Sequence, residues 1–219
     1  MVTAIWYVLR TGCPWRDVPE QFGPWSSIYT RWRRWCASGL WAKLLAGLAR
    51  GARGELRHID CSHIKVHHHG TNPCGGQAQQ AIGRSKGGIN TKLAAVVDAY
   101  GRAVALCLAP GNRHDLKAIQ PLVPALGRRR VVGDKGFDAG NFRTQLHRQR
   151  TRVCIAWLRC RRQPMPFHRG YYRRRHRVEN FFARLKRFRR VATRYDKLAV
   201  SFLGFVQFAA VLDWLTHEV

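Results

Sequence analysis

Residues 91–111, TKLAAVVDAYGRAVALCLAPG, carry two apolar runs on either side of Tyr100 and Gly101, and no other stretch constrains the fold as much. They read as two strands joined by a tight turn. ELRHIDCSHIKV, just upstream, reads as another strand; DLKAIQPLVPAL, downstream, as a helix. The order then repeats: RRRVVGDKGF is a short strand, AGNFRTQLHRQ a helix and TRVCIAWL a strand. YYRRRHRVENFFARLKRF begins a long helix, which the C-terminal apolar helix follows. A meander of strands followed by strand and helix alternation predicts an α/β unit over residues 55–219, a mixed sheet with helices on its faces.

Residues 1–50 are different: TAIWYVLR, SSIYTRWRRWCASG and LWAKLLAGLAR space their apolar residues helically between glycines and prolines. Three short helices are predicted. Ser26 or Ser27 is placed to cap the middle one, with Ile28, Trp32 and Trp35 inward and Arg31, Arg33 and Arg34 outward. Two readings stand: a helix-turn-helix-like DNA-binding module with an exposed basic helix, or a plain helical subdomain with a solvated basic face.

Charge narrows the partners. With 39 Lys and Arg against 12 Asp and Glu, the net charge is +27, while 46% hydrophobic content supplies a folded core. Such a field attracts phosphate backbones. A membrane surface fits less well, because the basic residues are spread through core-forming segments instead of one amphipathic face. The N-terminus lacks the succession of a signal peptide, and LAVSFLGFVQFAAVLDWL, interrupted by Ser201 and Gln207, reads as a buried helix. Seven cysteines without a CxxC pair argue against a disulfide framework and fit a reducing cytoplasm.

The acids are scarce enough to be informative. Glu179 is the one acid between Asp138 and Asp196, an interval holding eighteen Lys or Arg. Asp60 lies in the first strand, and Asp134 stands where a strand gives way to the GDKG loop. Two strand ends and a helix can bring these three carboxylates together, and an oxygen-only cluster suits Mg²⁺ or Mn²⁺. At about 100° per residue, Tyr172, Arg175, Glu179 and Lys186 share a strip roughly 60° wide, beside an apolar stripe of Val178, Phe181, Phe182, Leu185 and Phe188. The plainer alternative is an ordinary i, i+4 pair of Arg175 and Glu179. Cys61, His63, the histidines at 67 to 69 and Cys74 are zinc-ligand types at an unfamiliar spacing. Asp115 is expected to cap a helix beside His114, Asp98 and Asp138 to serve turns, and GRSKGG to form a flexible basic loop.

Tyr172-x2-Arg175-x3-Glu179-x6-Lys186 resembles the YREK signature of bacterial insertion-sequence transposases of the DDE, ribonuclease-H-like type. IDCSHIKVH, the GRSKGGINTKLAAVVDAYG hairpin with LAPGNRHD, and GDKGFD resemble that family's further motifs, in the same order. The resemblance implies a ribonuclease-H-like core and a metal-holding catalytic triad of Asp60, Asp134 and Glu179. The implied reaction is cleavage of transposon ends and joining of their 3′-hydroxyls to target DNA. Arg175, Lys186 and Tyr172 are then expected at the DNA, with Arg31, Arg33 and Arg34 as further DNA contacts. Expected partners are end and target DNA and a second copy of the chain, in the bacterial cytoplasm at the nucleoid, with no nucleotide cofactor. Family members usually carry a further helical segment before the part that TAIWYVLRTGCPWRDVP resembles, so Ile5, Trp6, Val8 and Leu9 are expected to be partly uncovered and residues 1–50 to be the loosest part. The alternative function is a catalytically inactive, truncated or co-opted relative that binds DNA.

Overall fold

The computed structural model describes residues 1–159, 163 and 165–216. Three helices open the chain: α1 (Val2–Thr11), α2 (Trp25–Ala37) and α3 (Leu40–Ala49). The strands β1 (Leu56–Val66), β2 (Gly83–Ser85), β3 (Gly88–Val97) and β4 (Ala103–Pro110) follow. The second half runs α4 (Asp115–Ile119), β5 (Arg130–Gly133), α5 (Gly140–Arg148), β6 (Arg152–Ile155), α6 (Arg169–Arg173), α7 (His176–Leu185), α8 (Arg189–Ala192), β7 (Thr193–Arg194) and α9 (Ala199–Thr216).

β3 lies antiparallel between β1 and β4, whereas β5 runs parallel to β1 and β6 parallel to β5. The order across the sheet is therefore β4-β3-β1-β5-β6, with β2 extending the β4 side and β7 pairing with the far end of β1. Three antiparallel strands followed by two parallel ones, with the first strand in the middle, is the ribonuclease-H-like arrangement that the resemblance implies. The apolar hairpin reads continuously because both faces of β3 are covered. Leu93, Ala95 and Val97 join a core with Val178, Phe181 and Phe205, while Ala94 and Val96 join one with Ile119, Phe142 and Leu146.

α9 is the hub of the first core. Its aromatic side chains receive the N-terminal helices: Trp32 stacks on Phe205 at 4.1 Å and Trp41 meets Phe208 at 4.4 Å. Gly204 permits this approach, since a Cβ there would collide with Cys36 Sγ. The C-terminal run is thus a buried core helix, as its sequence suggests, although its length and apolar content alone would let it cross a membrane.

Several local expectations need correction. Ile5, Val8 and Leu9 are fully buried in this same core, and Trp6 alone of the four is exposed. α2 has no side-chain cap: Pro24 precedes it, and Ser26 and Ser27 lie within its first turn. Pro121 and Pro124 reduce the predicted helix after Asp115 to the short α4 and a 3-10 stretch, because each lacks a donor N–H. GRSKGG is a tight hairpin, with Ser85 opposite Gly88 and Ser85 Oγ accepting from Asn90. His114, not Asp115, caps α4; the Asp115 carboxylate accepts from Lys92.

The long helix from Tyr171 is also broken, at Arg174 and Arg175. Tyr171 and Tyr172 pack toward Leu56, Val132 and Phe167 near β5 and β6, whereas Val178, Phe181 and Phe182 enter the core under α9. One straight helix cannot aim both sets, so the chain turns on i to i−3 bonds, Arg175 N to Tyr172 O and Val178 N to Arg175 O. Tyr172 therefore leaves the strip predicted for Arg175, Glu179 and Lys186.

Candidate active site

The cluster begins with strand register. His58 of β1 pairs with Val132 of β5, so Asp60 and Asp134 each lie two residues beyond that pair on neighbouring parallel segments, near enough for the Asp134 charge to act on Asp60. Gly133 allows the strands this closeness, since a Cβ there would stand 3.0 Å from Ile59 Cγ1. β5 ends at that point. Asp134 caps the 3-10 turn Lys135–Phe137, its Oδ1 accepting from Gly136 N at 2.9 Å, while Asp60 Oδ1 accepts from Cys61 N at 2.8 Å.

The third carboxylate arrives from α7, which docks through Val178, Phe181, Phe182 and Leu185. Glu179 points outward and pairs with Arg175 at 2.6 Å. Lys186, at the end of the same helix, donates to Ser62 Oγ at 2.7 Å and to His63 O at 3.3 Å. Arg175, Glu179 and Lys186 thus follow one edge of α7 along β1, as the helical spacing predicts. Burial partly dehydrates Lys186 and lowers its pKa.

Electrostatics ties the acids together. Burial is the main cause that pushes the Asp60 carboxyl from 3.8 up to about 6, and the negative charges of Asp134 and Glu179 add to it; the Cys61 N–H and Arg175 pull the other way. A half-buried carboxylate with two like neighbours is under-neutralised, and a divalent cation relieves such a site. The donors are all oxygens, the set that suits a hard cation. The three do not close to a single tight shell: among the described residues, the one group of three donors all within 4.8 Å of one another is His67, His68 and His69. Glu179 is held outward by Arg175 and is about half exposed, at 49%.

The Asp60 shift has a measurable sign. Because its folded pKa exceeds the ordinary value, protonation favours the folded metal-free chain; that contribution is full below about pH 4 and is lost as pH rises through about 6. Asp60→Asn is therefore expected to stabilise the metal-free protein more at about pH 8 than at about pH 4.5. Thermal melts of both proteins at the two pH values check this, and an equal difference at both would contradict it.

The other candidates are dispersed. Tyr172 stays near Arg175 but is half-buried against Phe167 at 5.1 Å. Arg31, Arg33 and Arg34 are exposed on α2, which packs against α1, α3 and α9; Arg31 and Arg34 share a surface hollow with Ser26, Ser27 and Thr30. Asp98 is fully buried and serves its turn, accepting from Tyr100 N and Arg102 N and pairing with Arg102 at 2.8 Å. Asp138 pairs with Arg143 and accepts from Leu158 N, both at 2.8 Å. Cys61 packs into the core containing Ile59, and Cys74 is exposed elsewhere, so the cysteines and histidines do not converge. Sequence reasoning missed Ser62, which receives Lys186, and the bond of His63 Nδ1 to Asn90 Oδ1 at 2.8 Å. The strand alternation of Asp60, Ser62 and Ile64 was a signal for the first; nothing local marks the second.

Known proteins agree with this frame. Residues 52–212 match the family described as "Transposase DDE domain", and residues 1–45 match "Putative transposase of IS4/5 family". A Brucella ovis protein, "Putative transposase for insertion sequence element IS6501", is 33% identical over 129 residues, 58% of this chain and 99% of that protein. The uncharacterized 16.2 kDa protein of insertion element IS402 from Burkholderia cepacia is 46% identical over 46 residues, 20% of this chain and 31% of that one. Among solved structures, the Mos1 strand transfer complex aligns with all of this chain and 78% of that chain at a TM-score of 0.33 and 11% identity. A score that low adds nothing to the strand order. DDE transposase domains are dependent on a divalent metal, and a match over residues 52–212 spans the sheet, both aspartates and Glu179, so the chain belongs to the DDE transposases of bacterial insertion sequences.

Proposed function

We propose that this chain cuts transposon ends and joins their 3′-hydroxyls to target DNA, with Asp60, Asp134 and Glu179 holding Mg²⁺ or Mn²⁺. The observation that carries the reading is that Asp60 and Asp134 each stand two residues beyond the paired His58 and Val132 of neighbouring parallel strands, with Asp60 feeling both other carboxylates. Bound cations supply two things here: activation of the attacking hydroxyl and stabilisation of the leaving oxygen in an in-line displacement. The chain's own residues set the stage. The backbone donors at Cys61 and Gly136 orient the two aspartates, and Arg175 screens Glu179. Lys186, held at Ser62, offers a cation to a phosphate along the cleft. The cut is a hydrolysis, with water as the attacking group, and the joining step exchanges one phosphodiester of the target for one new phosphodiester, so no external energy source is required.

In this reading residues 55–219 are the catalytic domain, and residues 1–50, with Arg31, Arg33 and Arg34, grip DNA beyond the cut. The protein works as a homodimer on DNA, at the bacterial nucleoid. The test is joining of candidate end DNA with and without a chelator: joining that needs Mg²⁺ or Mn²⁺ supports the reading, and joining that survives chelation overturns it. Arg175→Ala and Lys186→Ala are expected to weaken binding to end and random DNA alike, each lowering the salt slope by about 1. Filter binding across a salt series measures it; lost discrimination with an unchanged slope would assign them to base edges instead.

A further inference from the structure

We infer that His67, His68 and His69 form a second metal site, selective for Zn²⁺-, Ni²⁺- or Cu²⁺-class ions and separate from the carboxylate cleft. The three ligand atoms all lie within 4.8 Å of one another. The ring centroids are 4.0 Å apart for His67 and His68, 4.1 Å for His68 and His69, and 4.7 Å for His67 and His69. Tetrahedral zinc with bonds of about 2.0–2.1 Å sets its nitrogens about 3.4 Å apart, so closing the site takes rotation of the exposed His68 and His69 rings toward the half-buried His67.

The backbone beneath is already in place. β1 ends at Val66, and His67 N donates to Arg194 O at 2.9 Å, tying the turn to β7. Gly70 N donates to His67 O at 2.8 Å and Thr71 Oγ1 to His68 O at 2.6 Å, which fixes the 3-10 turn carrying the rings. His67 also leans on Tyr195, with ring centroids 4.6 Å apart. The long 3.3 Å bond from His69 N to His67 Nδ1 is the one that a metal on that nitrogen would replace.

Donor chemistry selects the ion. Three imidazoles with no carboxylate suit borderline transition metals and not Mg²⁺ or Ca²⁺. The three rings crowd one another, and the neutral imidazole is the form that ligates a metal. The net charge of +27 opposes any cation, so affinity rests on the bonds to nitrogen alone. Occupancy would rigidify the turn that ends β1, the strand of Asp60, where that turn is already bonded to β7 through His67 N and Arg194 O.

The experiment uses the full metal-free chain titrated with Ni²⁺ alone and with Zn²⁺ alone, in excess Mg²⁺, by calorimetry and by thermal melting. The probes are wild type, the doubly substituted His68→Gln, His69→Gln protein and Asp60→Asn. Both histidines are exposed, so the double variant keeps its packing. One equivalent should bind and raise the melting temperature, Mg²⁺ should not compete, the double variant should lose at least about tenfold in affinity, and Asp60→Asn should bind as wild type. Absence of binding, unchanged binding in the double variant, or loss of binding in Asp60→Asn would each overturn the assignment.

Discussion

Glu179→Gln is expected to lower metal-dependent strand transfer by about 10³-fold, some 4 kcal/mol of activation free energy, while leaving DNA affinity close to that of the parent. Gln preserves the shape of the side chain and its place on α7, whose docking depends on Val178, Phe181, Phe182 and Leu185. It removes the charge that would hold metal. It also removes a negative charge 2.6 Å from Arg175 and leaves that guanidinium in place for a phosphate, so binding is not expected to weaken. Single-turnover joining and equilibrium binding, measured on the same preparation, separate the two effects. Undiminished joining in the Gln variant would take Glu179 out of the metal-holding set; a parallel fall in binding and joining would make it a structural residue.

Arg194→Ala is expected to produce the largest loss of stability, about 3–5 kcal/mol against a total of about 5–15 kcal/mol. Arg194 is fully buried. Its guanidinium donates to Asp196 O at 2.8 Å, Gln80 O at 2.8 Å, Thr91 Oγ1 at 2.7 Å and Lys197 O at 3.0 Å. It also lies 5.2 Å from the centre of the Phe202 ring. Burial lowers its pKa to about 10, which leaves it charged at neutral pH. Removing it opens a cavity and strands four acceptors inside the protein, where an unmet hydrogen bond costs about 1–3 kcal/mol. Arg194→Met restores most of the volume and no donors, so comparing the two variants by urea unfolding divides the loss between packing and hydrogen bonding. A change below about 1 kcal/mol in both would show that water or a rearranged neighbour satisfies these acceptors.

What could be read along the chain was whatever depends on near neighbours. The paired strands around Tyr100 and Gly101, the short strand ending at GDKG and the docking stripe of α7 follow from periodicity and turn chemistry, both of which operate over a few residues. Asp60, Asp134 and Glu179 could be singled out because scarce acids stood out in a strongly basic chain, and motif order added the rest. Long-range geometry was of another kind. The break at Arg174 arises because Tyr172 and Val178 belong to different cores, a competition invisible within the segment. The burial of Ile5, Val8 and Leu9 depends on the core that α1 shares with α8, about 180 residues away along the chain. Arg194 looks like one more surface cation in the sequence and is a buried clamp in the fold. Local propensity decides which elements form; the side chains that end up dehydrated, paired or stacked depend on which elements share a core, because the free energy of burial belongs to contacts between distant segments.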